Sequence, residues 1–137
     1  MLNLIDQLRL EHTELSTSFG SLRDVDISSE EGRGRLKSIK SLLLSHLRRE
    51  NEELYPKLRE VATNDQKLGR TIEWFTRDTA RITAVLILFF DQYADGGDKI
   101  AFMRDFKRLG TILNALIEQE EKFIFDEYSD IAVDNAA

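Results

Sequence analysis

Apolar side chains recur at intervals of three and four residues along almost the whole chain, which is the spacing of one face of an α-helix. Only one proline and seven glycines occur among the 137 residues, so little interrupts this pattern. We therefore predict an all-α, up-down-up-down four-helix bundle, in which each helix buries one face against the others. The predicted helices span residues 2–22, 29–62, 65–94 and 99–128.

The length of the chain bounds its domain organisation. Residues 1–131 are predicted to form one domain, because a chain of this size buries a core of its own. Residues 132–137 have little to pack against and are expected to fray. Pro56 removes a backbone amide within the second predicted helix, so we expect that helix to kink or break near Tyr55.

Composition excludes several classes of protein. The absence of cysteine rules out a disulfide scaffold, a thiolate metal site and a cysteine nucleophile, and it favours a cytoplasmic location. A net charge of -6 and a pI near 5.0 argue against a nucleic-acid partner, which requires a clustered positive surface. The first residues lack the pattern of a secretory signal, and the most apolar stretch, residues 82–90, is too short to span a bilayer. No membrane partner is expected.

Each predicted helix carries polar side chains within its apolar face. These are His12 on the first helix, His46 and Glu50 on the second, Thr79 on the third and Glu120 on the fourth. His46 and Glu50 are four residues apart and therefore point in the same direction. We expect the five side chains to meet in one layer of the bundle. Buried carboxylates in such a layer need a metal ion, protonated histidines or a shifted protonation equilibrium.

This arrangement resembles the hemerythrin-like (HHE cation-binding) domains, whose four-helix bundles hold a non-heme di-iron centre. The family pattern places a histidine on the first and third helices and His-x-x-x-Glu on the second and fourth. His12 matches the first helix, and His46 and Glu50, followed by Leu54-Tyr55-Pro56, match the second. The resemblance covers nearly the whole chain.

The fourth and third helices depart from the family pattern. Thr79 and Leu116 stand where histidines are expected, whereas the glutamate of the fourth helix remains as Glu120. The resemblance thus implies a depleted metal site, with one iron's pair of histidines and both bridging carboxylates. Its ligands would be His12, His46, Glu50 and Glu120.

Such a ligand set accepts one non-heme iron, and zinc or manganese would also suit it. The loss of two histidines disfavours an oxygen carrier, which needs both irons to be held. The same residues also allow a metal-free layer, in which protonated His12 and His46 neutralise the two glutamates. We leave both arrangements open at this point.

Two functions follow from these alternatives. The first is a metal-binding sensor or regulatory bundle, and the second is a metal-free protein-interaction module on the same scaffold. An enzyme is disfavoured, because nothing else in the chain supplies a substrate pocket or a second catalytic group. We therefore expect no enzymatic activity.

The third predicted helix is apolar on every side over residues 84–90, whereas a bundle buries only one face of each helix. We expect Val85, Leu88 and Phe89 to form a homodimer interface or a docking face for another protein. Alternatively, residues 21–34 cover a wide core at this place.

The remaining polar positions receive structural interpretations. The hydroxyl of Thr79 is expected to bond the carbonyl four residues back. Several acidic residues fall away from the apolar face and are predicted to form solvated helix surfaces; these are Glu52, Glu53, Glu118, Glu121, Glu127 and Asp130.

Overall fold

A computed structural model describes the backbone of residues 3–132 and the side chains of residues 3–129. Within this part of the chain there are four long helices and no strands, as the sequence predicts. Of the predicted tail, Ala132 is helical, and residues 133–137 lie outside the part of the chain that the structure describes. No helix among the described residues is long and apolar enough to cross a membrane.

The four helices follow one another around the bundle. Helix α1 spans Leu4–Gly20, α2 residues 30–61, α3 Gln66–Gln92 and α4 residues 99–132. A turn of 3₁₀-helix, Ser21–Asp24, follows α1, and another, Ala62–Asn64, follows α2. Consecutive helices pack side by side, and α4 packs back against α1. The core therefore lies on the axis, where each helix points its apolar face.

Helix α2 and helix α4 are each interrupted by one π-helical turn. In α2 the turn Glu50–Leu54 lies between the α-helical segments Glu30–Arg49 and Tyr55–Val61. The turn Glu121–Phe125 lies in α4, between Lys99–Glu120 and Asp126–Ala132. Such turns insert one extra residue into an α-helix and are frequent at functional sites.

The sequence predicts that α2 kinks or breaks near Tyr55 because of Pro56, and the structure shows that the helix does not break there. Pro56 lies in the first turn of the segment Tyr55–Val61, where a missing amide costs little because that amide needs no helical partner. The amide of Tyr55 bonds the carbonyl of Glu50, which closes the π turn just before the proline. The predicted disruption is therefore a π turn rather than a break.

A side-chain cap begins every helix. The capping side chain accepts a hydrogen bond from the backbone amide three residues later, which satisfies a donor that the helix leaves unpaired. The caps are Asn3, Ser29, Asp65 and Asp98.

The connection between α1 and α2 closes one end of the core. Its side chains Leu22, Val25 and Ile27 are buried. A β-carbon at Gly32 would lie only 1.9 Å from the carbonyl oxygen of Asp26, so the connection can turn into α2 this tightly only over a glycine. Gly96, with φ +101, supplies the left-handed turn before α4.

The apolar stretch of α3 is only partly exposed. Phe89 is buried and packs against Tyr93 and Phe102, so its expected place on a docking face is wrong. Val85 and Leu88 are 39% and 69% exposed. Residues 22–27 supply buried side chains to the core, yet this outer side of α3 remains uncovered.

Candidate metal centre

His12, His46, Glu50 and Glu120 meet in one layer at the middle of the bundle. All four side chains are buried, at 5% exposure or less. Each offers one nitrogen or oxygen atom, and these four atoms all lie within 4.8 Å of one another. Helices α1, α2 and α4 thus contribute ligand atoms to one point, as the sequence predicts.

The imidazole Nε2 atoms face the carboxylates. His12 Nε2 lies 3.0 Å from Glu120 Oε1, and Glu50 Oε2 lies 3.4 Å from His46 Nε2 and 3.7 Å from His12 Nε2. The centroids of the two imidazole rings lie 4.8 Å apart.

Among these four side chains, three buried atoms have no hydrogen-bond partner, namely His46 Nε2 and both carboxylate oxygens of Glu50. Leaving buried polar atoms unpaired costs stability, so a bound group that pairs with them would stabilise the fold. Two imidazole nitrogens with carboxylate oxygens are donors that iron, zinc and manganese accept. The residues therefore fit a single metal ion.

An outer shell of two carboxylates, Glu11 and Glu121, orients both histidines. Glu11 Oε1 lies 2.7 Å from His46 Nδ1, and Glu121 Oε2 lies 2.8 Å from His12 Nδ1. An ionised carboxylate only accepts, so each Nδ1 donates its proton outward, and in a neutral imidazole the Nε2 lone pair then points into the layer. This is the arrangement that holds metal-binding histidines in other proteins.

Glu11 is itself held in place by Arg49, whose Nη1 lies 2.5 Å from Glu11 Oε2. Burial alone would raise the pKa of Glu11, but hydrogen bonds from His46 and Arg49 outweigh it and lower that pKa. Glu11 therefore stays ionised and continues to accept the His46 proton.

The sequence pattern did not reveal this outer shell. Glu11 was not predicted as part of the site, and Glu121 was expected to be a solvated surface residue, which is wrong. Both are direct neighbours of predicted ligands, about a hundred degrees around their helices. From there each reaches the adjacent helix: Glu11 on α1 contacts α2, and Glu121 on α4 contacts α1.

The opposite half of the layer has no histidine. The hydroxyl of Tyr55 donates a hydrogen bond to Glu120 Oε2, and Leu116 is buried beside them. Thr79 is fully buried, and its hydroxyl has no hydrogen bond of good geometry. Its expected bond to the carbonyl four residues back is absent; instead Thr83 donates to the carbonyl of Thr79 at 2.8 Å.

Protonation in the metal-free layer follows from these contacts. Burial opposes protonation of His12, but interactions with Glu120 and Glu50 outweigh burial and raise its pKa to about 9. Burial, reinforced by Glu120, raises the pKa of Glu50 well above its usual range. Burial also opposes ionisation of Glu120, yet Glu50, His12 and Tyr55 lower its pKa. A protonated His12, a protonated Glu50 and an ionised Glu120 give a neutral layer.

The metal-free protein is expected to lose stability as the pH rises. His12 has a pKa of about 9 in the folded chain against 6.5 for the ordinary group, so its proton stabilises the fold fully below pH 6.5. That contribution disappears as the pH rises through 9, and we expect the free energy of unfolding to fall by about 3 kcal/mol. Urea unfolding at a series of pH values in the presence of a chelator measures this fall in the free energy of unfolding. A His12→Gln chain should give a flatter profile, and a flat wild-type profile would contradict the protonation scheme.

Four helices around a buried layer of histidines and carboxylates form the architecture in which the metal sites of helical bundles are built. The family model described as the hemerythrin HHE cation-binding domain matches residues 3–128. The chain therefore belongs to the hemerythrin family, as the resemblance indicates. No curated protein and no solved structure matches it.

Proposed function

We propose that this protein binds one metal ion through His12, His46, Glu50 and Glu120 and acts as a metal-dependent regulatory bundle. The observation that carries the proposal is the set of buried atoms without partners, His46 Nε2 and the Glu50 oxygens, in a layer whose histidines are already oriented. Without a metal ion, a protonated Glu50 can donate a hydrogen bond to Glu120, but His46 Nε2 still has no partner.

One ion, rather than two, matches the donors available. Both imidazoles contact the carboxylates, whereas the buried Thr79, Leu116 and Tyr55 supply no further nitrogen donor. When bound, a non-heme iron would supply redox and small-ligand chemistry, and zinc would supply a fixed positive charge. Around it, the buried side chains exclude water, and each imidazole Nδ1–H donates a hydrogen bond to an outer carboxylate.

A regulatory role is supported by where the ligands come from. An ion would tie α1, α2 and α4 together, whereas Thr79 of α3 offers only a hydroxyl. Helix α3 also carries the exposed Val85 and Leu88. We propose that the bundle acts without catalysis: loss of the ion loosens α2 and α4, the two helices against which α3 packs, and a protein partner or a second copy reads this change at the exposed face of α3.

The alternative is a metal-free interaction module. Its support is the charge balance of the layer, since a protonated His12, a protonated Glu50 and an ionised Glu120 are neutral together. This function predicts that stability and partner binding are indifferent to chelators, whereas the metal-dependent function predicts that both respond.

Replacing Glu11 tests whether the outer carboxylates serve metal binding. Glu11→Gln leaves the ligands in place but weakens the acceptor on His46 Nδ1, so we expect a metal affinity lower by roughly 10- to 100-fold. Competition with a chelator of known affinity measures it. Glu14, exposed on the same helix, offers the control Glu14→Gln, which should bind as the wild type does. Equal affinities in the two variants would contradict a role for the outer shell.

A further inference from the structure

Helices α2 and α4 carry the same arrangement of core residues. In each helix a buried glutamate stands four residues after one core position and five residues before an aromatic residue. A π turn joins the glutamate to the aromatic residue: it spans Glu50–Leu54 in α2 and Glu121–Phe125 in α4. The matched positions are His46 with Leu116, Glu50 with Glu120, and Tyr55 with Phe125. The layer is therefore built from two equivalent halves.

Helices α1 and α3 extend the same relation. His12 of α1 and Thr79 of α3 are both buried in the layer, and an acidic residue precedes each of them, Glu11 and Asp78. One half thus has two histidines, and the equivalent half has a threonine and a leucine.

The two aromatic residues behave differently in the two halves. Phe125 stacks on the ring of His12, with centroids 5.1 Å apart and an interplanar angle of 12°. Tyr55, in contrast, donates its hydroxyl proton to Glu120 Oε2. The half that has histidines carries an aromatic ring without a hydroxyl, and the half that lacks them carries the hydroxyl.

This difference decides which carboxylate oxygens are free to bind a cation. Both oxygens of Glu50 lack a hydrogen-bond donor, whereas Glu120 Oε2 is already satisfied by the buried phenol. A cation that approaches Glu120 Oε2 from the side of Tyr55 would meet the hydroxyl proton, and binding there would displace that hydrogen bond and leave the buried hydroxyl of Tyr55 unpaired, which is costly.

The geometry points to positions 55 and 125 as the residues that decide how many ions the layer holds. We propose that Tyr55 closes its half by placing a proton where a second cation would sit, and that Phe125 keeps the histidine half open. Tyr55 is thus a positioning residue that acts through Glu120. The inference rests on the proposed function, since it presupposes that the histidine half binds an ion.

A pair of single-oxygen exchanges tests the proposal. Phe125→Tyr adds a hydroxyl that is expected to donate to Glu50, so the affinity for Zn²⁺ should fall at least tenfold. Phe123→Tyr adds the same hydroxyl at an exposed position of the same π turn and should bind zinc as the wild type does. Isothermal titration with Zn²⁺ and native mass spectrometry give affinity and stoichiometry, with circular dichroism as the control for folding. Wild-type binding by Phe125→Tyr, or an equal loss of affinity in Phe123→Tyr, would overturn the proposal.

A second comparison tests the role of Tyr55 separately from the proposed function. If the wild-type chain binds no ion, the proposed function is wrong, but this comparison can still be made. The double substitution Thr79→His with Leu116→His restores two imidazoles to the closed half. Made together with Tyr55→Phe, it should bind one more Zn²⁺ than the double substitution that keeps Tyr55. Equal stoichiometry in these two folded chains would show that Tyr55 does not control access.

Discussion

Replacing Glu50 by methionine is expected to make the metal-free protein more stable and unable to bind an ion. Glu50 is fully buried, and neither of its carboxylate oxygens has a hydrogen-bond partner. Exchanging a buried, poorly satisfied polar group for an apolar one of similar length removes the cost of desolvating that group, which is roughly 1–3 kcal/mol. Methionine is flexible enough to fill the space. Urea unfolding at pH 7 in the presence of a chelator measures the difference.

The control for this exchange is Glu52→Met, at an exposed position in the same π turn. It should change the free energy of unfolding little, because surface substitutions of this kind stay within about 0.5 kcal/mol. The contact of His12 with Glu120 remains in the Glu50→Met chain. If Glu50→Met is instead less stable than the wild type without metal, then Glu50 supports the metal-free fold, and the metal-free module gains support.

Saturating metal is expected to stabilise the wild-type chain strongly. Ligands from α1, α2 and α4 converge on one point, so an ion bound there links three helices and binds only the folded state. At a free-ion concentration 1,000 times Kd, this linkage adds about 4 kcal/mol to the free energy of unfolding. For a chain of this size that corresponds to a rise in Tm of roughly 10 °C. Thermal unfolding with and without added metal measures the shift.

The Glu50→Met chain separates specific from adventitious binding. It should show no rise in Tm at the same metal concentration, because it lacks the carboxylate that contacts both histidines. An equal rise in both chains would place the ion outside the layer, for instance among the exposed acidic residues of α2 and α4.

Helix number and position could be predicted from the sequence because local signals agree with the fold. Apolar spacing defines the buried faces, and the caps Ser29, Asp65 and Asp98 fix where three of the helices begin. The π turns could not be predicted, because the buried residues on either side of them, such as Glu50, Leu54 and Leu58, keep the four-residue spacing that an uninterrupted α-helix also allows. Pro56 predicted an irregularity in α2, but it did not indicate that this irregularity is a π turn.

The inner layer could also be predicted, because a histidine or a glutamate within an apolar face is buried with it and must pair with another polar group there. The outer shell could not: Glu11 and Glu121 look like ordinary surface acids until the neighbouring helices are in place. Their contacts depend on how adjacent helices are turned towards each other, which spacing along one helix does not specify. The prediction for Phe89 was wrong for the same reason, since its burial depends on Tyr93 and Phe102.

The central claim, that this layer binds one metal ion, is tested most directly by elemental analysis. The wild-type chain and His46→Ala would be made untagged in iron-supplemented medium and purified without chelator. We predict one ion per wild-type chain and none in His46→Ala, with both chains helical by circular dichroism. A wild-type chain that is folded and free of metal would contradict the claim and leave the layer as a buried polar cluster.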